Sequence, residues 1–120
     1  MKIGSINEDL GIEKRISITP EIAKKYSELG LEIFINQNYA KHLGISDKEY
    51  ENKGAKILKD KKEIIQNVDL SLLVNFPKLE DIKLFKENSS MVGIFDPYKN
   101  IDIINLPYVL YMILLIFIYS

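Results

Sequence analysis

The chain has 120 residues, with 16 lysines and arginines against 17 aspartates and glutamates, and a formal net charge of −1 at pH 7. Because nucleic-acid-binding domains usually carry a clustered basic face, this near-neutral balance predicts no nucleic-acid partner. The chain has no cysteine, which excludes disulfides and thiolate metal sites. A chain of this length forms one domain with one core. No apolar signal segment precedes the first predicted strand, so we expect the protein in the cytoplasm.

The first twenty residues predict a strand, a polar loop and the start of a helix. The strand is predicted at 2–5, the loop carries Arg15, and Thr19 is a suitable N-cap for a helix over 20–29. A strand that leads through a loop into a helix is typical of parallel α/β folds, which bind ligands at the carboxyl ends of their strands. Arg15 is therefore the first candidate for a binding residue. The alternative is a surface arginine paired with Glu13 or Glu8. Because Arg15 lies in a polar loop, we expect its loss to change stability by less than about 0.5 kcal/mol.

Strands and helices alternate along the chain up to about residue 100. Further strands are predicted at 31–36, 55–58, 69–74 and 91–95, and the helices between them begin at Ser46, Asp60 and Pro77. The run at 69–74 is largely apolar, which is typical of a central strand covered on both faces. The last of these helices should place Leu79, Ile82 and Phe85 inward. This alternation predicts an α/β fold, an open parallel sheet of flavodoxin- or Rossmann-like type with helices on both faces.

The composition changes near residue 101. Residues 106–119 form an uninterrupted apolar run that contains Pro107, and no basic residue follows Lys99. This run is shorter than the roughly 20 residues of a membrane-spanning helix. Three interpretations stay open: a last helix or strand on the sheet, a membrane-associating tail, or a terminus foreign to the domain. We therefore divide the chain into a domain at 1–100 and an apolar C-terminal tail at 101–120.

Several short segments carry a resemblance to a known family. They are MKIG and EKRISITPE near the start, then Leu29-Gly30, SDKEY at 46–50, GAKI at 54–57 and LVNFP at 73–77. In these segments the chain resembles the amino-terminal domain shared by alanine dehydrogenase and the alpha subunit of proton-translocating NAD(P) transhydrogenase. The resemblance covers roughly residues 1–100. The downstream run LPRIxRAQSMD and the glycine-rich nucleotide fingerprint of that family are missing, so the chain resembles an N-terminal fragment.

The resemblance implies a position in a ligand cleft for Arg15, Asn75 and Asp96. In alanine dehydrogenase the residue that matches Arg15 holds the substrate carboxylate, a task that suits the guanidinium fork. The residue that matches Asn75 is there a substrate-contacting lysine, and the one that matches Asp96 is a catalytic histidine. An ordinary carboxylate cannot replace that histidine as a general acid at pH 7. Since transhydrogenases usually have asparagine at the first of these two positions, both departures favour transhydrogenase. No catalytic residue is assigned in this chain.

No nucleotide-binding or metal site is predicted within the chain itself. The six glycines never form a G-x-G-x-x-G motif after a strand. The only histidine, His42, belongs to no cluster and is expected in a solvated loop. The resemblance implies that NAD(H) and NADP(H) bind the full family complex, and we expect neither to bind this chain alone. Its partners would be the remaining transhydrogenase alpha and beta polypeptides.

The preferred hypothesis is an N-terminal fragment of the transhydrogenase alpha subunit. In the family, hydride transfer between NADH and NADP is coupled to proton translocation, and this chain would supply one wall of the nucleotide cleft while being inactive alone. Such a protein would be cytoplasmic, or peripheral at the inner membrane through its partners or its tail. Two alternatives stay open: a non-catalytic, flavodoxin-like interaction module, and the remnant of an alanine dehydrogenase-like enzyme.

Overall fold

The computed structural model describes residues 1–93 and the backbone of residues 113–116. Strands and helices alternate through this part of the chain. The elements are β1 Lys2–Ser5, α1 Pro20–Glu28, β2 Glu32–Asn36, a 3₁₀ turn Lys41–Leu43, α2 Asp47–Asn52, β3 Lys56–Leu58, α3 Lys61–Ile65, β4 Leu70–Leu72, α4 Leu79–Ile82, β5 Ser90–Gly93 and β6 Ile113–Ile116. The predicted α/β fold is confirmed.

All the strand pairs in the sheet are parallel, in the order β3-β2-β1-β4-β5-β6. This order is that of doubly wound α/β folds. From β1 the chain first adds β2 and β3 on one side, and it then adds β4 and β5 on the other. The point at which the order reverses lies between β1 and β4, which pair through Ile3 with Leu70 and Gly4 with Ser71. In such sheets ligands bind in the crevice at this reversal.

Two clusters of buried side chains cover opposite faces of the sheet, because successive residues of a strand point to opposite sides. Ile33 and Ile35 of β2 belong to the first cluster, whereas Phe34 between them packs against the second. The first cluster contains residues from α1 and α2, and the second contains residues from α3. The predicted placement of helices on both faces is therefore confirmed.

Gly4 lets α3 and the residues after it approach β1 closely. A Cβ atom added at Gly4 would lie 2.6 Å from Cγ2 of Ile64 and 2.8 Å from Cγ1 of Val68. Both neighbours are buried in the second cluster. A side chain at this position would therefore have to push the helix away from the sheet.

Polar caps begin the first three helices as the sequence predicts. Side-chain oxygens of Thr19, Ser46 and Asp60 accept backbone N–H groups at the starts of α1, α2 and α3. The prediction for α4 is partly wrong. Ile82 and Phe85 are buried, but Leu79 is 49 % exposed. Leu79 is the first residue of a helix only one turn long, in which Asp81 and Ile82 are the buried residues.

The strand interpretation of the apolar run agrees with the backbone at residues 113–116. There β6 pairs with β5 in parallel, from Ser90 opposite Ile113 to Gly93 opposite Ile116. Within the described residues, no helix is long and apolar enough to cross a membrane. The predicted boundary at residue 100 and Asp96 lie outside the described part of the chain, as does the rest of the predicted tail.

Candidate functional site

The loops that follow β1 and β4 are joined by the carboxylate of Glu8. Its Oε2 accepts the backbone N–H of Val74 at 3.1 Å, and its Oε1 accepts that of Asn75, also at 3.1 Å. Both contacts lie at the carboxyl ends of the two strands between which the sheet order reverses. One carboxylate thus fixes the backbone from which the side chain of Asn75 projects.

A second carboxylate, that of Glu13, brings the two predicted site residues together. Arg15 donates from Nε to Oε2 of Glu13 at 2.9 Å and from Nη2 to Oε1 at 2.7 Å. Asn75 donates from Nδ2 to the same Oε1 at 3.2 Å. The backbone N–H of Arg15 also donates to Oε2. Arg15 and Asn75, far apart in the sequence, therefore meet at one side chain.

Glu13 and its partner Arg15 differ in their access to solvent. The side chain of Glu13 is only 8 % exposed, whereas that of Arg15 is 64 % exposed. The bidentate geometry is the strong form of a carboxylate–guanidinium contact. The arrangement thus combines a nearly buried anion with a cation whose outer side faces solvent. Arg15 therefore pairs with a glutamate, as the alternative interpretation of Arg15 expected, but this glutamate is nearly buried.

The two carboxyl groups have opposite pKa shifts. The hydrogen bond from the Arg15 guanidinium lowers the pKa of Glu13 to about 2, against an opposing effect of burial. For Glu8 the largest effect is burial, which raises its pKa, while the N–H groups of Val74 and Asn75 lower it in part. Glu13 is therefore a fixed negative charge at neutral pH. Glu8 accepts its two N–H donors in a partly buried place that disfavours its charged form.

A cleft of about 760 Å³ is lined by Glu8 and Asn75, whereas Glu13 and Arg15 lie outside its lining. Its wall includes side chains from the loops after β1, β2, β3 and β4, among them Glu8, Leu10, Asn36, Lys59, Asn75 and Lys78. At the far side, Lys61 Nζ lies 2.9 Å from Oδ2 of the buried Asp81, which ties α3 to α4. The cleft thus sits at the crevice predicted for a doubly wound sheet.

A smaller hollow of about 580 Å³ lies on the side of the β2 loop, and His42 contributes to its wall. His42 is exposed in the 3₁₀ turn, and its Nε2 lies 2.7 Å from the carbonyl oxygen of Lys14. This contact ties the turn to the loop that carries Arg15. Among the residues that the structure describes, no group of three histidine, cysteine or acidic side chains is placed to hold a metal ion.

Two of the three predicted residues, Arg15 and Asn75, thus contact the same carboxylate, and the third, Asp96, lies outside the described residues. Sequence reasoning missed the central parts of Glu8 and Glu13. Glu8 follows β1 by three residues, where an acidic side chain can reach backbone N–H groups at the end of a neighbouring strand. Glu13 lies two residues before Arg15, which suggested a surface pair and not a link to Asn75.

Comparison with known proteins gives the family of this fold and site. The family model described as "Alanine dehydrogenase/PNT, N-terminal domain" matches residues 4–106, a range that includes Arg15, Asn75 and Asp96. The chain belongs to this family. The resemblance found in the short sequence segments is therefore confirmed.

Two curated relatives of this chain are named for different activities, one for transhydrogenase and one for alanine dehydrogenase. One is a polypeptide of the NAD(P) transhydrogenase subunit alpha of Rickettsia prowazekii (strain Madrid E), 31 % identical over 104 residues. The other is alanine dehydrogenase of Methanococcus maripaludis, 31 % identical over 87 residues. These alignments cover 83 % and 72 % of this chain but 27 % and 23 % of the relatives. The chain thus spans about a quarter of their length.

Solved structures show the same fold. The transhydrogenase of Sinorhizobium meliloti superposes with a TM-score of 0.84 at 24 % identity, over 98 % of this chain and 34 % of that one. An L-alanine dehydrogenase superposes with a TM-score of 0.73 at 21 % identity, over 79 % and 26 % of the two chains. The fold of the AlaDh/PNT N-terminal domain is therefore common to proteins of both activities, and the choice between them depends on the site.

Proposed function

We propose that the chain acts as the N-terminal segment of a transhydrogenase alpha subunit and forms one wall of its nucleotide cleft. In this proposal it supports hydride transfer between NADH and NADP, coupled to proton translocation, and it is inactive without the remaining alpha and beta polypeptides. The observation that carries the proposal is the convergence of Arg15 and Asn75 on Glu13 at the strand-order reversal. Membership of a family that includes a transhydrogenase alpha polypeptide supports the proposal, and the choice against alanine dehydrogenase rests on Asn75.

The proposal of a single wall rests on the connection after β1. Dinucleotide-binding sheets use a short glycine-rich turn there, with the pyrophosphate at the N-terminus of the following helix. Here residues 6–19 form a long connection in which Glu8 and Glu13 are engaged by Asn75 and Arg15. The charge of Glu13 is compensated by Arg15, whereas the carboxylate of Glu8 faces the cleft and disfavours phosphate there. We therefore expect NAD(H) and NADP(H) to be held by the assembled complex and not by this chain alone.

Asn75 favours transhydrogenation over amino-acid oxidation. Its amide donates one hydrogen bond to Glu13 and carries no charge. A substrate carboxylate would thus find no cation at position 75, and Glu13 already occupies the Nε–Nη2 edge of the Arg15 guanidinium. The ammonium group that alanine dehydrogenases place here is absent. The remnant of an alanine dehydrogenase-like enzyme therefore stays the weaker candidate, and Asp96 in place of a histidine weakens it further.

A segment exchange tests the proposal. The matching N-terminal segment of the Rickettsia transhydrogenase alpha polypeptide would be replaced by this chain, and the chimera would be assembled with its partner polypeptides. We expect measurable hydride transfer between NADH and an NADP analogue, and loss of about 90 % or more of it in chimeras with Arg15→Ala or Asn75→Ala, since a misplaced positioning residue can cost this much or more. Lys56→Ala, on the edge strand β3 and away from the cleft, serves as the matched control.

Titration of NADH into the isolated chain completes the test. We expect no calorimetric signal at millimolar ligand, because the dinucleotide needs a glycine turn and a helix N-terminus that one wall does not provide. A micromolar isotherm for the chain alone would contradict the one-wall proposal. A folded chimera without hydride transfer would favour the flavodoxin-like interaction module instead.

Within this proposal the chain is cytoplasmic or lies at the inner membrane through its partners. A fractionation experiment with and without the other transhydrogenase polypeptides checks this, since only the assembled complex should sediment with membranes. Sedimentation of the chain alone would instead point to the apolar run at 106–119.

A further inference from the structure

The hydroxyl group of Tyr39 lies at the centre of a buried hydrogen-bond chain beneath the site. Its Oη lies 2.8 Å from Ser5 Oγ, 2.8 Å from the backbone nitrogen of Ser17 and 3.2 Å from that of Ile18. Ser5 Oγ in turn lies 2.6 Å from the carbonyl oxygen of Leu72. Tyr39 and Ser5 are 3 % and 1 % exposed, so water does not compete for these contacts.

Counting donors fixes the direction of every bond in this chain. The N–H groups of Ser17 and Ile18 can only donate, so the Tyr39 oxygen accepts both and keeps its own proton for Ser5. The carbonyl oxygen of Leu72 can only accept, so the single hydroxyl proton of Ser5 is directed to it. Burial raises the pKa of Tyr39, which keeps the phenol protonated as this order requires. The chain of hydrogen bonds therefore has a single arrangement of protons.

This chain of hydrogen bonds ends in the two backbone segments that carry Arg15 and Asn75. Ser17 follows Arg15 by two residues, and Leu72 precedes Asn75 by three. Tyr39 itself comes from the loop after β2, so three strand ends are joined through two hydroxyl oxygens, those of Tyr39 and Ser5. The side-chain contacts of Glu13 with Arg15 and Asn75 require these segments to stay in register.

We propose that Tyr39 is a positioning residue that sets the distance between Arg15 and Asn75 through Ser5. This deepens the proposed function and rests on it, because it gives the wall of the cleft a fixed spacing that does not depend on a bound nucleotide. The physical reason is that the Arg15 side chain is 64 % exposed, so solvent competes for its contact with Glu13, whereas the contacts of Tyr39 and Ser5 are buried. Tyr39 acts on both site residues through the backbone segments that it joins.

The full-length chain with Tyr39→Phe tests this inference. Two quantities are measured by NMR: the exchange rates of the Ser17 and Ile18 amide protons, and the pKa of Glu13 from its carboxyl resonance. We expect both amides to exchange about tenfold faster, since removing their acceptor forfeits about the free energy of one buried hydrogen bond. We also expect the pKa of Glu13 to rise from about 2 toward 4.5 as its contact with Arg15 loosens.

Tyr50→Phe is the matched control. The Tyr50 hydroxyl is also buried, and it donates to the backbone carbonyl oxygen of Ile18 at 2.7 Å. It takes no part in the hydrogen bonds that connect Tyr39 through Ser5 to Leu72. It should leave the pKa of Glu13 and the exchange of the Ser17 amide unchanged. An unchanged Glu13 pKa in folded Tyr39→Phe would overturn the inference, because Tyr39 would then only stabilise the fold. An equal shift in both variants would overturn it as well.

Ser5→Ala keeps the test decisive if Tyr39→Phe does not fold. It removes the link between Tyr39 and Leu72 while leaving the two amides their acceptor. We expect the pKa of Glu13 to rise again and the Asn75 side-chain amide resonance to move, and an unchanged value for both would overturn the inference. Since these readouts use the isolated chain without nucleotide, their failure leaves the segment-exchange test of the proposed function untouched.

Discussion

Replacing Arg15 with alanine should lower the free energy of unfolding by about 1–2 kcal/mol at pH 7, which is more than the polar-loop position alone predicts. The guanidinium contacts Glu13 at 2.7 Å and 2.9 Å. Alanine leaves a carboxylate that is only 8 % exposed with the Asn75 amide and one backbone N–H as donors. A nearly buried charge is thereby left partly uncompensated, which is the costly case for an ion pair.

The magnitude follows from the pKa of Glu13. Its value of about 2, against an ordinary 4.5, corresponds to roughly 3 kcal/mol of stabilisation of the charged form in the folded state. Asn75 and the backbone supply part of this effect and persist in the variant. The guanidinium is 64 % exposed, so solvent screens its contribution further. About half of the full value therefore remains as the expected loss.

The effect has a defined pH dependence. The folded pKa of Glu13 lies below its unfolded value, so the stabilisation is present above about pH 4.5 and is lost as the pH falls toward 2. Urea unfolding of parent and Arg15→Ala between pH 7 and pH 3 should show the difference shrinking with falling pH. Lys56→Ala is the control, because its 3.4 Å pair with Glu32 joins two exposed side chains and should contribute less than about 0.5 kcal/mol. Two results would refute the reasoning. One is a loss of unfolding free energy in Arg15→Ala below about 0.5 kcal/mol, the usual range of surface sites. The other is a loss that does not change with pH.

Three further variants probe the fold. Gly4→Ala should lower the free energy of unfolding in urea by about 1–3 kcal/mol, because the new methyl group would overlap side chains of the second core cluster. Gly11→Ala is the control and should cost clearly less, because the nearest contact of its new methyl group would be a flexible side-chain oxygen at 3.2 Å. Ser46→Ala should cost about 1 kcal/mol, since its hydroxyl caps α2 at 3.3 Å; an unchanged midpoint would show that this cap is dispensable. A chain that ends at Asn100 should be more soluble than the full chain, because the apolar run at 106–119 must be buried somewhere; a shortened chain that unfolds while the full chain is soluble and monomeric would show that the run belongs to the core.

The fold could be predicted from sequence because its signals are local. Thr19, Ser46 and Asp60 each cap a helix within three residues of their own position, and each helix is separated from the next by an apolar strand. Local signals fail at α4. Leu79 and Ile82 have the spacing of an inward-facing pair, but only Ile82 is buried. Which residue of such a pair meets a packing partner is decided by long-range contacts and is not visible in the spacing.

The site could be predicted only in part, because its contacts are long-range. The position of Arg15 and Asn75 at strand ends follows from the alternation of elements. Their meeting does not, since the Asn75 amide reaches a glutamate 62 residues earlier in the sequence. For the same reason Tyr39 gave no signal, as an aromatic residue after a strand is most often a core residue. The acceptor that its oxygen provides appears only when the loop after β1 is folded over it.

The charge balance at Glu13 bears on the proposed choice between the two activities of the family. With asparagine, one guanidinium and one carboxylate compensate each other, and the amide adds a directed hydrogen bond without charge. With lysine, the same carboxylate would face two cations, and one positive charge would remain for an anionic substrate in the cleft. A neutral residue 75 therefore leaves Glu13 and Arg15 compensated, and the positive charge of the cleft comes from other residues, among them Lys59 and Lys78 on its wall. Under the proposed function, this wall needs no cation at position 75.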